Sequence, residues 1–215
     1  MTQEDQKDDV TLSQFLDAVA GGTATPGGGS VSALAGTLAA ALVEMVVNLT
    51  RGKKGFEAQQ AEMEKLGAEA RSYREALGST IAQDINAYQA VMRAYLLPKS
   101  TENEKGKRKE EIQKALRRAA DPPLFTAATS LKVLKLCQKA AEKGNPSTIT
   151  DAAVGALLAE AALQGGVLNV LINLSAMEDE NTVKKMMQEL KRLEAEGIKT
   201  REKVLSQVKG KLKAE

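Results

Sequence analysis

The chain contains no histidine and no tryptophan, and a single cysteine, Cys137, in 215 residues. The lack of histidine excludes His-ligated metal centres, Ser-His and Cys-His nucleophilic pairs, and imidazole acid–base chemistry. Proton transfer must then fall to Asp, Glu, Lys, Tyr, Cys, backbone or water. One cysteine excludes an intrachain disulfide and fits a reducing compartment. Aromatic residues make up 3% of the chain and prolines number five. With Ala, Leu, Glu, Lys, Gln and Met abundant, this favours an all-α fold over sheets. A net charge of +2, with both signs interspersed, leaves no basic footprint for nucleic acid. No apolar leader opens the sequence, and Glu44 interrupts the longest apolar run. We therefore expect no signal peptide, no membrane span and a cytoplasmic location.

What is present is organised around Pro26-Gly27-Gly28-Gly29-Ser30 and the small-residue run from Val31 to about Asn48, whose only charge is Glu44. Three consecutive glycines permit backbone conformations that other residues resist, and Ser30 is a good helix N-cap. A bare loop thus feeds a nearly all-apolar helix, which must be buried and which presents free N–H groups to whatever approaches the glycines. The offsets fit neither a Walker loop nor a dinucleotide fingerprint. Close ligand approach and a tight helix–loop connection both explain it.

Along the rest of the chain, residues 1–9 form an acidic tail. Thr11-x-x-Gln14 is a capping box before a helix with Leu12, Phe15, Leu16 and Val19 on one face, stopped at Gly21-Gly22. Arg51-Gly52-Lys53-Lys54-Gly55 is a basic turn. Residues 56–95 contain no proline and predict one helix of about 60 Å. Its stripe runs Met63, Leu66, Ala70, Tyr73, Leu77, Ile81, Asp84, Tyr88, Val91 and Tyr95, spaced mostly by three and four. Thr101-x-x-Glu104 caps a polar helix that Asp121-Pro122-Pro123 breaks or kinks. An apolar helix over 124–141, a Gly144-Asn145-Pro146 loop, a buried helix ending near Leu174 and an amphipathic helix over 178–209 follow. We expect one domain over 1–215, a bundle of six or seven helices, with flexible tails at 1–9 and 210–215.

Asp84 is the sharpest chemical signal, because a carboxylate on a core-facing stripe loses hydration and rises in pKa unless cations or donors hold it charged. That suits a general base or acid near neutral pH, and equally a structural ion pair. Two apolar helices carry polar pairs four residues apart, Glu44 with Asn48 and Asn169 with Asn173, each pair on one face. They could fix packing register or meet a ligand. Lys53 and Lys54 either complement the helix end or meet ligand carboxylates.

Taken together, Thr25-Pro-Gly-Gly-Gly-Ser30, Thr50-Arg-Gly-Lys-Lys-Gly-Phe56, Asp84-Ile-Asn-Ala-Tyr88, Leu97-Pro98-Lys99, Leu116-Arg-Arg-Ala119 with Pro123-Leu124, Gly144-Asn145 with Asp151, and Asn169-Val-Leu-Ile-Asn-Leu174 resemble the cyclodeaminase family. That family comprises the cyclodeaminase domain of formiminotransferase-cyclodeaminase and free-standing methenyltetrahydrofolate cyclohydrolases. The matches run in order from about residue 11 to 195, with no formiminotransferase domain. The resemblance implies an elongated all-α fold that dimerises, a tetrahydrofolate derivative as substrate, and no tightly bound cofactor or metal. It places Asp84 at the catalytic acidic position and Lys53 and Lys54 where the glutamate tail of folate is met. Pro26, Gly27, Gly28, Gly29, Ser30, Asp151, Asn169 and Asn173 fall at positions expected to line the pocket.

Two activities stay open: cyclohydrolysis of 5,10-methenyltetrahydrofolate to 10-formyltetrahydrofolate, which we favour, and cyclodeamination of 5-formiminotetrahydrofolate to the methenyl compound and ammonia. A third possibility, from another class, is a non-catalytic helical scaffold in which Asp84, Asn169 and Asn173 only set register. It predicts no dense polar cleft around Asp84.

Overall fold

The computed structural model describes residues 10–212, which form seven α-helices and two short 3₁₀ turns, with no strand among them. The expected tail at 1–9 lies outside the described residues. Helix α1 spans Leu12–Ala20 and opens on the capping box, with the Thr11 N–H donating to Gln14 Oε1 at 2.7 Å and Gly21 closing it. It is followed by α2 (Gly28–Asn48), α3 (Gln60–Tyr95) and α4 (Glu102–Ala119), then by α5 (Asp121–Lys143), α6 (Ile149–Leu174) and α7 (Glu180–Leu212). The Asp121-Pro122-Pro123 triplet divides α4 from α5, and both prolines sit in the first turn of α5, where a missing N–H costs nothing. Helix α7 runs to Leu212, into the segment expected to be a tail.

Helices α2, α5 and α6 form the centre, and α3 and α7 pack around them. Small residues set how closely they approach. A Cβ on Gly36 would lie 2.9 Å from Ser130 Oγ and 3.0 Å from Leu77 Cδ1, and one on Gly67 would lie 3.0 Å from Val47. Gly28 abuts Asn169, whereas Gly155, near the start of α6, abuts Leu42, so α2 and α6 run antiparallel. The same logic makes α3 antiparallel to α2, since Gly29 faces Asp84 and Gly67 faces Val47. The main core gathers Val43, Val46, Met63, Leu77, Val133 and Leu134. A second cluster joins Leu163, Leu190 and Leu193 beneath α7. A third joins Val91, Ala94, Ile112 and Leu116 between α3 and α4.

Glu44, the charge that interrupts the apolar run, is held by Arg74 at 2.5 Å and Arg71 at 3.4 Å. Both α2 and α6 are by length and composition apolar enough to cross a bilayer, but each has one side buried in this bundle. Cys137 is fully buried and desolvation pushes its thiol up to about 12.

The packing predicts opposite outcomes at two helical glycines. A Cβ on Gly166 would lie 2.7 Å from the Pro123 carbonyl oxygen and 2.9 Å from the Ala127 nitrogen, both backbone atoms, whereas one on Gly78 meets nothing within 4 Å. Gly166→Ala should destabilise the protein by about 1–3 kcal/mol through overpacking. Gly78→Ala should stabilise it by about 0.5–1 kcal/mol through helix propensity. Urea midpoints at unchanged slope report both.

Candidate active site

The C-terminal half of α3 extends past the residue at which α2 begins, because α2 starts only at Gly28. With no wall from α2, the lower stripe of α3 opens onto a cleft of about 470 Å³ closed by α4 and the end of α6. This accounts for Tyr88 and Tyr95 being exposed on a stripe whose other members Met63, Leu66 and Leu77 are buried. Asp84 stands at the head of the cleft, and Gly27, Gly28 and Gly29 form its rim.

Asp84 is seated directly on the first turn of α2. The Ser30 hydroxyl donates to Asp84 Oδ2 at 2.9 Å, and the Ser30 N–H also holds the carboxylate. Only glycine allows this approach at position 29, since a Cβ there would sit 2.2 Å from Asp84 Oδ1. Gly27, not Ser30, is the N-cap; Ser30 lies inside the first turn, fully buried. The serine therefore serves the carboxylate of another helix rather than its own helix end. No lysine or arginine pairs with Asp84 among the described residues, so burial dominates and raises its pKa, with the Ser30 hydroxyl and N–H opposing in part. The helix-end N–H groups favour an anion, yet the group stays protonatable closer to neutrality than an ordinary carboxyl.

Across the cleft, the Asn169 side-chain NH₂ donates to the Gly165 carbonyl at 2.8 Å. That of Asn173 donates to the Asn169 carbonyl at 2.8 Å and to the Ala119 carbonyl at 3.3 Å. Because the amide nitrogens face carbonyls, the orientation of both carboxamides is fixed. Their oxygens accept no hydrogen bond among the described residues and are free for donors on a ligand. Tyr88, Val91, Met92, Leu116 and Ile172 supply apolar walls, and the Arg108 guanidinium stacks over the Tyr95 ring at 5.6 Å. A flat, partly polar heterocycle suits such a lining.

The structure thus brings together Gly27, Gly28, Gly29, Ser30, Asp84, Asn169 and Asn173. It does not bring Lys53, Lys54 or Asp151 into this cleft. Both lysines lie exposed in the turn after α2, and Asp151 lies in the first turn of α6. They share the end of the bundle where Asn145 donates to the Leu49 carbonyl at 3.2 Å. The length of α2 separates that end from Asp84 by about 30 Å. Pro26 precedes the rim without lining it. Glu44 and Asn48 belong to a separate surface groove with Arg51 and Arg71. Among the lining residues missed are Tyr88, Val91 and Tyr95, although positions four, seven and eleven beyond Asp84 share one helical face with it, which was the signal.

A desolvated carboxyl over a glycine turn, facing two free amide acceptors, is a group able to take up or release a proton without imidazole. The profile of the formiminotransferase-cyclodeaminase family matches residues 11–192. The chain is 40% identical over 202 residues to a methenyltetrahydrofolate cyclohydrolase of Methylorubrum extorquens, covering 94% of this chain and 97% of that protein. It is 36% identical over 172 residues to the formimidoyltransferase-cyclodeaminase of Rattus norvegicus, covering 80% of this chain but 32% of that longer protein. The crystal structure of a formiminotetrahydrofolate cyclodeaminase from Thermotoga maritima superposes with a TM-score of 0.86 at 35% identity, over 94% of this chain and 98% of that one. The chain belongs to the formiminotransferase-cyclodeaminase family. These relatives are enzymes of folate one-carbon chemistry.

The raised pKa of Asp84 carries a stability prediction. The folded state holds this proton more tightly than the unfolded chain, whose value is near 3.8. Between 3.8 and the folded value the native state therefore binds more protons, and stability falls as pH rises. The ionised carboxylate costs stability at neutral pH, and that cost vanishes below 3.8. Asp84→Asn, which can still accept from Ser30, should raise the melting temperature at pH 7 and lose that advantage in acid. An equal gain at every pH would contradict the assignment.

Proposed function

We propose that this chain is a methenyltetrahydrofolate cyclohydrolase with Asp84 as its proton-transfer group. The observation that carries the reading is the Asp84 carboxyl: half-buried, unpaired with any cation among the described residues, and held over the α2 N-terminus by Ser30. The substrate supplies its own electrophile, an amidinium carbon bridging N5 and N10. Ionised Asp84 attracts that cationic carbon and accepts a proton as water attacks it. A tetrahedral hydroxy carbon results. Asp84 then returns the proton to N5 as the carbon–N5 bond breaks, leaving the formyl group on N10. One water is consumed, the substrate's positive charge leaves as a proton to solvent, and Asp84 ends as it began. The free oxygens of Asn169 and Asn173 are suited to accept from the amino and ring N–H donors of the pterin. Gly27 to Gly29 let the heterocycle approach the backbone, and the apolar walls shed water from around the reacting carbon.

The alternative is formiminotetrahydrofolate cyclodeaminase, favoured by the name and the close superposition of the Thermotoga maritima structure. There N10 attacks the carbon of the protonated formimino group, Asp84 carries the N10 proton to the departing nitrogen, and ammonia leaves while the positive charge stays on the methenyl bridge. The same carboxyl serves both. The scaffold reading is set aside, because the relatives are enzymes and Asp84, with Asn169 and Asn173, lines a cleft. We further propose that the protein acts in the cytoplasm as a homodimer, as the family resemblance leads one to expect.

Spectrophotometry separates the two activities: methenyltetrahydrofolate should disappear with water as co-substrate, rather than accumulate from the formimino compound with release of ammonia. Asp84→Asn should lower kcat by about 10²–10⁴-fold with the fold intact. The wild-type rate should fall as acid protonates Asp84, at a pH above the ordinary carboxyl range. Turnover near wild type in the variant would remove Asp84 from the mechanism.

A further inference from the structure

Helix α4 walls one side of the cleft on a narrow seat. Of its eighteen residues only Ile112, Leu116 and Ala119 are buried, and none from Glu102 to Glu111 is. So short an apolar seam leaves a helix free to roll about its axis and its first half free to lift. Two polar ties oppose both movements.

The first tie is Arg108. Its Nε and Nη2 donate to the Tyr95 carbonyl at 3.2 and 3.0 Å, one of the carbonyls that the end of α3 leaves without a helical partner. The guanidinium also lies over the Tyr95 ring, 5.6 Å from its centroid. No carboxylate pairs with Arg108 among the described residues, so its charge is committed to Tyr95. The second tie is Gln113. Its side-chain NH₂ donates to the Ala176 carbonyl at 3.0 Å, and its oxygen accepts from the Glu178 N–H at 2.8 Å. This pair clasps the turn between α6 and α7. Lys109 adds an ion pair to Glu178 at 2.8 Å, which is exposed and contributes little.

Residues five apart point about 140° from each other around a helix. Arg108 therefore reaches α3 on one flank of α4, and Gln113 reaches the end of α6 on the other. Leu116, about 80° from Arg108 in the same projection, falls between the two ties and lines the cleft. What the ties hold also lines it: Tyr95 on one side, Ala176 beside Ser175 on the other. Helix α4 is thus a strut across the far end of the cleft, about 16 Å along α3 from Asp84.

We propose that Arg108 and Gln113 are positioning residues, which brace α4 between α3 and α6 and so fix the width of the cleft where Tyr95 and Ala176 grip the fused ring of the folate. Neither touches the reacting carbon; both act through the walls they hold. The ligand identity rests on the reading given above; the brace does not.

Steady-state kinetics on methenyltetrahydrofolate test the role. Arg108→Ala and Gln113→Met should each raise KM by about tenfold with kcat changed by less than about twofold, the signature of lost uniform binding. A merely structural part would instead lower the active fraction, and so kcat, at unchanged KM. Lys114→Ala removes ion pairs only to Glu110 and Glu111 of α4 itself and should leave both constants as they are. Arg108→Lys keeps the charge and a donor but loses the flat fork, and should recover only part of the lost affinity. Because Arg108 acts through Tyr95, adding Arg108→Ala to Tyr95→Ala should raise KM no further, whereas independent effects multiply. An unchanged KM in both single variants, or multiplied effects in the double one, would overturn the proposal.

The brace has its own readout, free of folate. In the ligand-free protein the Glu178 N–H should be protected from hydrogen exchange, and Gln113→Met should cut that protection by about tenfold or more. Unchanged exchange would refute the brace. A wild-type protein with Glu178 protected but no turnover of either folate would refute the substrate and leave the strut standing.

Discussion

The structure depends on one contact, the seat of the Asp84 carboxylate on the first turn of α2. It fixes the register of α3 against α2 at the end where the two helices part, and so decides where the cleft opens. It also explains why position 29 carries no side chain. At Gly29 any Cβ would displace the carboxylate, since it would lie only 2.2 Å from Asp84 Oδ1. Ser30 supplies a hydroxyl where the backbone alone would leave one oxygen without a donor. Loop, helix start and acid are therefore parts of a single device, although 54 residues separate the serine from the aspartate.

The device balances two tendencies. Desolvation pushes the proton on, and the donors at the helix end pull it off. Neither is opposed by a lysine or arginine, which would fix the group as a permanent anion. A carboxyl left in that balance can exchange a proton in both directions within one turnover, a task commonly given to histidine. The chain has no histidine, and in the mechanism proposed above the burial of one aspartate takes its place.

Much of this is legible in the residues. The helical order follows from capping signals and proline placement, and both capping boxes form as their spacing predicts. Asp84 stands out because it breaks an apolar period. The link between Asp84 and Ser30 is not legible, because Ser30 reads locally as a helix cap and only the antiparallel packing of α2 and α3 turns it to another purpose. Tyr88 and Tyr95 read as core, since a period of three and four cannot tell a core face from a cleft face. Resemblance alone groups the lysines with Asp84. Sequence order carries no ruler, and only the straight run of α2 shows how far apart they stand.

The burial of Cys137 has a consequence of a different kind. The only thiol in the chain is enclosed among Leu134, Ala140 and neighbouring core residues and is kept protonated well above physiological pH. Peroxide and alkylating agents act on exposed thiolates, and they find none here. An enzyme built in this way offers oxidants no reactive thiol through which to silence it.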